Sequence, residues 1–472
     1  MSNPSPSVPD SRPYRVAVIG AGPSGLYTAE ALLAGDENVH VDVYDRLPAP
    51  YGLVRYGVAP DHLKMKSVIR ALVSTFDDAE RVRFLGNVTV GPDGESGPAI
   101  PGEVLREHYH AVVYATGSAN DRDLGVEGED LAGSVGSGAF VAWYCGHPDA
   151  AGPGPALDAT GAVVVGAGNV AIDVARMLAR PAEDIAATDA HDVVLEALRG
   201  SAVTDVHVLI RRGPQHVRFT PAELRALAKL DDVEVVVHDD GVLAAGVEEP
   251  GERRMRQVLE SLTEWRTDPP GPGGRRRIHL RFLRSPLRLV GRDGRVSGVQ
   301  VERNQVTDDG RVRGTGETTT LDAGLVVRAI GYAGEQIPGL PFDEARGTVP
   351  HEQGRVLLGA EPLRGSYVTG WIKRGPTGVI GTNKSDGTET AASVLADLPD
   401  LANPSRPNGD AVLDRLREFG IEPVLWDDWL RVDAAEIALG EQRGGTERVK
   451  IADRRQMLDA ARGTAPSRGR TR

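Results

Sequence analysis

The sequence predicts an α/β fold built on two Rossmann-like dinucleotide-binding units, and three observations carry that reading. Two apolar, β-branched strands, YRVAVI from Tyr14 and AVVV from Ala162, each run into a glycine-rich turn and then a helical pattern. Each unit goes on to a second strand, and the two second strands end in opposite charge, an acid in one and two arginines in the other. A length of 472 residues leaves room for two or three domains.

In the first unit the strand leads into Gly20-Ala-Gly22-Pro-Ser-Gly25 and then LYTAEALLAG. Gly20 permits a tight turn, Gly22 lets backbone approach a pyrophosphate, and Gly25 lets helix and strand pack closely. The anion then sits at the helix N-terminus. Such a turn alone is weak evidence, but here a second strand, VHVDVY from Val39, ends in Asp45, about twenty residues past Gly25, where a ribose-binding acid belongs. An acid there disfavours a 2′-phosphate, so the ligand is NAD or the ADP half of FAD.

The second unit turns through Gly166-Ala-Gly168-Asn169-Val170-Ala171 into IDVARMLAR, before Pro181. Its return strand, VHVLI from Val206, comes after an inserted helical segment and ends in Arg211-Arg212. A guanidinium pair at that position suits the 2′-phosphate of NADP, although two arginines after a strand can also be plain solvated surface. One acid-ended and one arginine-ended site divide into FAD first and NADP second, with hydride transfer between them. Two nicotinamide sites would fit the spacing too, but would leave the chain without an electron acceptor.

The single cysteine, Cys145, rules out an intramolecular disulfide, a CxxC redox centre and a four-thiolate cluster on this chain. Redox chemistry must therefore come from a bound organic cofactor, and no metal site is expected. The net charge of −13 argues against general nucleic-acid affinity. With no long apolar run, and neither a basic start nor an apolar stretch in the first fifteen residues, a cytoplasmic location without membrane association is expected.

Three separated segments agree in order and spacing with one family: YGLVRYGVAPDH (51–62), the paired nucleotide turns, and GWIKRGPTGVIGTNKSDG (370–387). Over about residues 14–400 the chain resembles the adrenodoxin reductase-like ferredoxin-NADP reductases, including the actinobacterial ones. The resemblance implies a discontinuous FAD domain, residues 14–117 and 332–462, with an NADP domain, 118–331, inserted into it. AVVYATGS (111–118) and LVVRAIGY (325–332) would be the crossings, and disordered ends are expected at 1–13 and 463–472.

The same resemblance implies hydride transfer from NADPH to flavin N5, then two single-electron transfers to a ferredoxin-type iron–sulfur protein. FAD would contact Ser24, Asp45, Leu53, Val88, Trp371 and the turn Gly378-Val379-Ile380. NADP would contact Gly168, Asn169, Val170, Arg211, Arg212, Glu223 and Gly378. Asp45 departs from the family, where Glu is usual, and its carboxylate reaches one methylene less far.

Two side chains are candidates for chemistry. His62 opens a helix-like segment, and the family places its counterpart near the flavin; a locally bonded helix-start histidine is the plainer reading. Glu223 lies in Thr220-Pro221-Ala-Glu223, a good capping box, whereas the family places its counterpart beside the nicotinamide. Asp61, Lys64 and Lys66 flank His62 and read as solvated surface or local ion pairs. Trp371 either packs on the flavin or belongs to a core.

Arginines 253, 254, 256, 275, 276, 277, 281, 284 and 288 crowd one stretch of an acidic chain, as a docking patch for an acidic ferredoxin or as ordinary surface. Thioredoxin-reductase-like and glutamate-synthase-like chemistry both need cysteines that are missing. A flavin monooxygenase and a non-catalytic flavin/NADPH redox sensor keep both nucleotide sites and remain the alternatives.

Overall fold

Residues 13–92, 97–245, 252–268, 276–307, 309–378, 380–444 and 446–464 are described by a computed structural model. Of the ends expected to be disordered, 1–12 and 465–472 lie outside the described residues, whereas Gly463 N and Thr464 N bond back to the carbonyls of Ala460 and Asp459.

The apolar run Tyr14–Ile19 is the centre of a seven-stranded sheet, flanked in parallel by Val39–Tyr44 and Ala111–Tyr114. Val16, Val18, Val41 and Val43 are buried because helices cover the sheet, which is why these strands read as continuous apolar runs without alternation. Val82–Leu85 closes one edge. On the other side Glu361–Val368 pairs in parallel with Ala111–Tyr114, so strands nearly 250 residues apart in sequence are neighbours. Arg355–Leu358 and His351–Glu352 complete this edge antiparallel.

The intervening chain builds a second, wholly parallel sheet of six strands. Its order is Val233–His238, Arg276–Phe282, Asp205–Ile210, Gly161–Val165, Leu325–Arg328 and Ser134–Gly136. An antiparallel sheet of Arg284–Arg292, Arg295–Val306 and Val312–Asp322 lies against it, and Val163, Val165 and Leu209 share a core with Leu289, Val299 and Val301. AVVY (111–114) and LVVR (325–328) are internal strands of the first and second sheets respectively. The passages between the sheets follow them, paired as a short antiparallel ribbon, Asn120–Asp121 with Tyr332–Ala333.

After the helix Thr382–Asp397 the chain wraps the first unit again. Trp426 stacks on Phe76 at 4.2 Å, and Trp429 is buried edge-on to Tyr51, so the Trp-rich patch is core. The amphipathic stretch near 410–419 is the helix Ala411–Glu418, with Val412 and Leu416 turned inward. Among the described residues no helix is long and apolar enough to cross a membrane.

Candidate functional site

The first glycine turn is shaped by backbone contact. A Cβ on Gly20 would lie 2.4 Å from the Ala115 carbonyl oxygen, and one on Gly25 would lie 1.9 Å from that of Gly20. At Gly22, by contrast, a Cβ would meet only the Gly52 Cα at 3.9 Å. Helix Pro23–Gly35 starts there with no side-chain cap and no acid in its first turn, so its leading N–H groups are left for an anion.

Asp45 is tied to this turn. Its carboxylate accepts from Ala21 N and Leu47 N, both at 2.9 Å, and burial pushes its pKa up against those bonds. Val88 is buried with its N–H donated to the Asp45 carbonyl, and Leu53 is an exposed apolar side chain beside Gly52.

Ser24 donates to Asn383 Oδ1 at 2.9 Å, which brings the C-terminal helix Thr382–Asp397 to the turn. Gly370 also meets it: with φ +77 and ψ −147 this position demands glycine, and a Cβ would come within 2.3 Å of Ser24 Oγ. Buried Asp386 fixes Gly370, accepting its N–H at 2.5 Å and pairing with Lys373 Nζ at 2.7 Å. Trp371, the next residue, stacks on Tyr332 of the interdomain ribbon at 6.1 Å. Gly378, at φ +86, and Ile380 flank the start of Thr382–Asp397, while Val379 lies outside the described residues.

The second turn follows the same pattern. A Cβ on Gly166 would lie 2.2 Å from the Ala329 carbonyl oxygen, whereas one on Gly168 would touch nothing. Helix Asn169–Ala179 also begins without a side-chain cap. Val170 packs on the core of the second unit. Arg211 is exposed and Arg212 half-buried at the end of Asp205–Ile210, and neither pairs with a carboxylate among the described residues.

Thr220 caps the helix Pro221–Leu227, its Oγ1 accepting from Glu223 N at 3.4 Å. The reciprocal half of the capping box is absent, because Thr220 N donates to Asn169 Oδ1 at 3.0 Å. The Glu223 carboxylate is therefore free to point elsewhere, and its Oε2 lies 3.5 Å from His62 Nε2. The cap therefore does not use the carboxylate, because Asn169 accepts the Thr220 N–H that a capping-box glutamate would take.

His62 Nε2 also lies 3.0 Å from Asp173 Oδ1. Hydrogen bonds to Asp173 and then Glu223 outweigh burial and push the His62 pKa up to about 10. Burial together with the nearby Glu223 charge pushes Asp173 up to about 6. For Glu223 the burial penalty is outweighed by His62, and its pKa falls. Arg176 bonds Asp173 and Asp61, which brings its Nη2 within 2.8 Å of His62 Nε2. Two cationic donors so close are tolerated because Asp173 accepts from both.

Asp173 escapes the motifs, although its signal is present: it lies four residues after Asn169, on the same face of the helix. Asp386 stands inside a quoted segment without standing out. Lys66 is neither solvated nor locally paired, as its place beside His62 suggests; it is buried and bonds Asp189 at 2.6 and 2.7 Å. Asp61 pairs with Arg176 and Arg180 across the gap between the units.

The family model for pyridine nucleotide-disulphide oxidoreductases matches residues 14–248. NADPH-ferredoxin reductase FprA of Mycobacterium leprae is 42% identical over 471 residues, covering 95% of this chain and 99% of that protein. Mitochondrial NADPH:adrenodoxin oxidoreductase of Mus musculus is 39% identical over 462 residues, covering 94% and 91%. The solved structure of Mycobacterium tuberculosis FprA in complex with NADPH superposes with a TM-score of 0.86 at 39% identity, covering 96% of this chain and all of that one.

Proposed function

The chain belongs to the family of NADPH-ferredoxin and NADPH:adrenodoxin reductases, and on that premise we propose that it is an FAD-containing oxidoreductase passing electrons from NADPH to a ferredoxin-type iron–sulfur protein. The seven-stranded unit, residues 14–117 and 332–462, is the FAD domain. The six-stranded unit, residues 118–331, is the NADP domain.

The observation that carries this reading is the 3.5 Å contact between His62 of the first unit and Glu223 of the second, which brings a titratable pair together where the two nucleotide units meet. The residues present fit the two ligands. Both turns lead into uncapped helix starts, where a Cβ at Gly22 would meet only the Gly52 Cα at 3.9 Å and one at Gly168 nothing within 4 Å, which leaves room for a pyrophosphate. When bound, FAD supplies the conversion between a two-electron donor and one-electron acceptors, for which this chain's side chains offer no substitute.

The protein's own residues bind, orient and manage protons. Gly20, Gly22, Gly25 and Asp45 hold the flavin's ADP half; Ser24, Leu53, Val88, Trp371, Gly378 and Ile380 line the remainder. Gly166, Gly168, Asn169 and Val170 hold the NADP pyrophosphate, and Arg211 and Arg212, without a carboxylate partner among the described residues, take the 2′-phosphate. His62 holds a proton at Nε2 between Asp173 and Glu223.

Several arginines of the basic stretch are already engaged within the chain. Arg277 and Arg284 are paired with Asp205 and Asp240, Arg276 bonds the carbonyls of Ala179 and Arg180, and Arg281 bonds His207. Arg275 lies outside the described residues. The exposed start of helix Arg253–Thr267, where Arg254 also donates to the Arg218 carbonyl at 2.6 Å, is the part suited to an acidic partner.

Anaerobic mixing of the yellow protein with NADPH or NADH tests the reading. Expected are faster bleaching with NADPH and cytochrome c reduction that needs added ferredoxin. Lack of bound flavin, or NADPH use that follows an organic substrate and ignores ferredoxin, would overturn it.

A further inference from the structure

Asn304 belongs to neither nucleotide motif, stands 93 residues after Arg211, and is 4% exposed. It lies in the strand Arg295–Val306, where pairing with Val312–Asp322 is interrupted between Glu302 and Asn304. Irregularities of this kind re-aim a side chain away from the sheet. The Asn304 side chain reaches back to the arginine turn: Nδ2 donates to the Arg211 carbonyl at 3.0 Å and to Ser285 Oγ at 2.7 Å. A carbonyl can only accept, so the amide orientation is unambiguous, and both amide protons are used.

A second contact runs beside the first. Asn304 N donates to the Leu283 carbonyl at 2.8 Å, and Leu283 N donates to the Arg212 carbonyl at 3.3 Å. Leu283 has φ +54, a left-handed conformation that leucine rarely adopts. Strain of this sort persists where the surroundings over-determine it, characteristically at binding sites. An interrupted strand, a strained leucine and a buried amide thus converge on the two successive carbonyls of the arginine pair.

Those carbonyls matter because the sheet no longer holds them. Strand Asp205–Ile210 has ended, and among the described residues no carboxylate aims either guanidinium. The direction of both side chains therefore follows the backbone that carries them. We infer that Asn304 is a positioning residue for Arg211 and Arg212, and through them sets the preference for a 2′-phosphorylated over a plain dinucleotide. This inference rests on the arginine pair's proposed role.

The test uses the flavin-loaded protein and Asn304→Leu, which keeps the volume and removes the donor. Calorimetric binding of adenosine 2′,5′-bisphosphate is expected to weaken about three- to tenfold, with AMP binding unchanged. The KM for NADPH should rise by a similar factor while that for NADH stays fixed. A merely structural role would weaken both nucleotides alike, and that result, or no change in either, overturns the inference. Should the leucine variant fail to fold, Asn304→Ala is read in the same way. Arg211→Ala/Arg212→Ala separates the two claims: if it leaves the preference intact, both fail; if it abolishes a preference that Asn304→Leu retains, only the role of Asn304 fails.

Discussion

Lys450 Nζ donates to the backbone carbonyl of Arg55 at 2.8 Å, joining two residues 395 positions apart. The same ammonium donates to the Cys145 carbonyl at 2.9 Å and pairs with Asp189 at 3.0 Å, so its three protons meet three acceptors on three chain segments. Arg55 is itself buried against Glu436, which also accepts from Ile451 N at 2.9 Å. The C-terminal segment is thereby fastened to the first unit at Arg55 and to the second at Asp189. Since Lys66 shares Asp189, this fastening lies one helical turn from His62.

Replacing Lys450 by Met should therefore destabilise the protein by about 3 kcal/mol, because two carbonyls and part of a carboxylate lose a buried donor. The side chain is only 2% exposed, so water cannot substitute. Urea unfolding of the flavin-loaded protein measures the change. A loss below about 1 kcal/mol would mean that Lys66 alone satisfies Asp189 and the fastening is redundant.

The His62 cluster makes stability depend on pH in a stated direction. The folded pKa is pushed up to about 10 from 6.5, so the folded chain holds the proton more tightly than the unfolded one. The resulting stabilisation is fully present below pH 6.5 and is lost as pH rises through 10. Lys450, lowered from 10.5 to about 8 by burial, acts with the opposite sign between those two values, a window that overlaps the upper part of the histidine's. The difference between wild type and His62→Gln isolates the histidine: the stability advantage of wild type should shrink steadily across this range. A constant difference would mean that His62 is neutral when folded.

Much of this site was legible because its parts are local. Strand, glycine turn and helix follow one another in sequence, and the charge that ends each second strand lies at a fixed distance from its turn. Glu223 shows where local reading stops. Thr220-Pro221-Ala-Glu223 describes a capping box correctly up to the carboxylate, whose direction depends on Asn169, 51 residues earlier, taking the Thr220 N–H. Asp173, Lys66 and Asn304 act through partners 111, 123 and 93 residues away, and no spacing rule encodes such contacts. Lys66 was the most misleading, because a lysine beside other charges resembles surface until the opposing domain buries it.

Arg211 and Arg212 should govern the choice of nucleotide. A charge-assisted hydrogen bond contributes about 1.5–3 kcal/mol, so losing either arginine should weaken NADPH binding about ten- to a hundredfold. NADH, lacking the phosphate, should be used as before. Steady-state kinetics with both nucleotides and a ferricyanide acceptor makes the comparison. Equal losses for the two would show that the arginines support the fold and do not read the phosphate.

The two glycines of the second turn should fail in different ways. A Cβ at Gly166 would stand 2.2 Å from the Ala329 carbonyl oxygen, beside the Ala329 N–H to Val165 carbonyl bond that joins two central strands. Neither backbone can retreat without breaking the sheet, so Gly166→Ala should cost more than about 3 kcal/mol and lower the unfolding temperature. Gly168 has an ordinary φ of −106, and its Cβ would touch no protein atom. Gly168→Ala should thus fold within about 0.5 kcal/mol of wild type. Its methyl group would nonetheless stand where a pyrophosphate must approach the helix start, and NADP⁺ binding should fall about tenfold or more. Thermal unfolding and NADP⁺ titration of both variants separate the effects. If Gly168→Ala binds NADP⁺ normally, the nucleotide does not use this turn, and the division of cofactors between the two units would have to be redrawn.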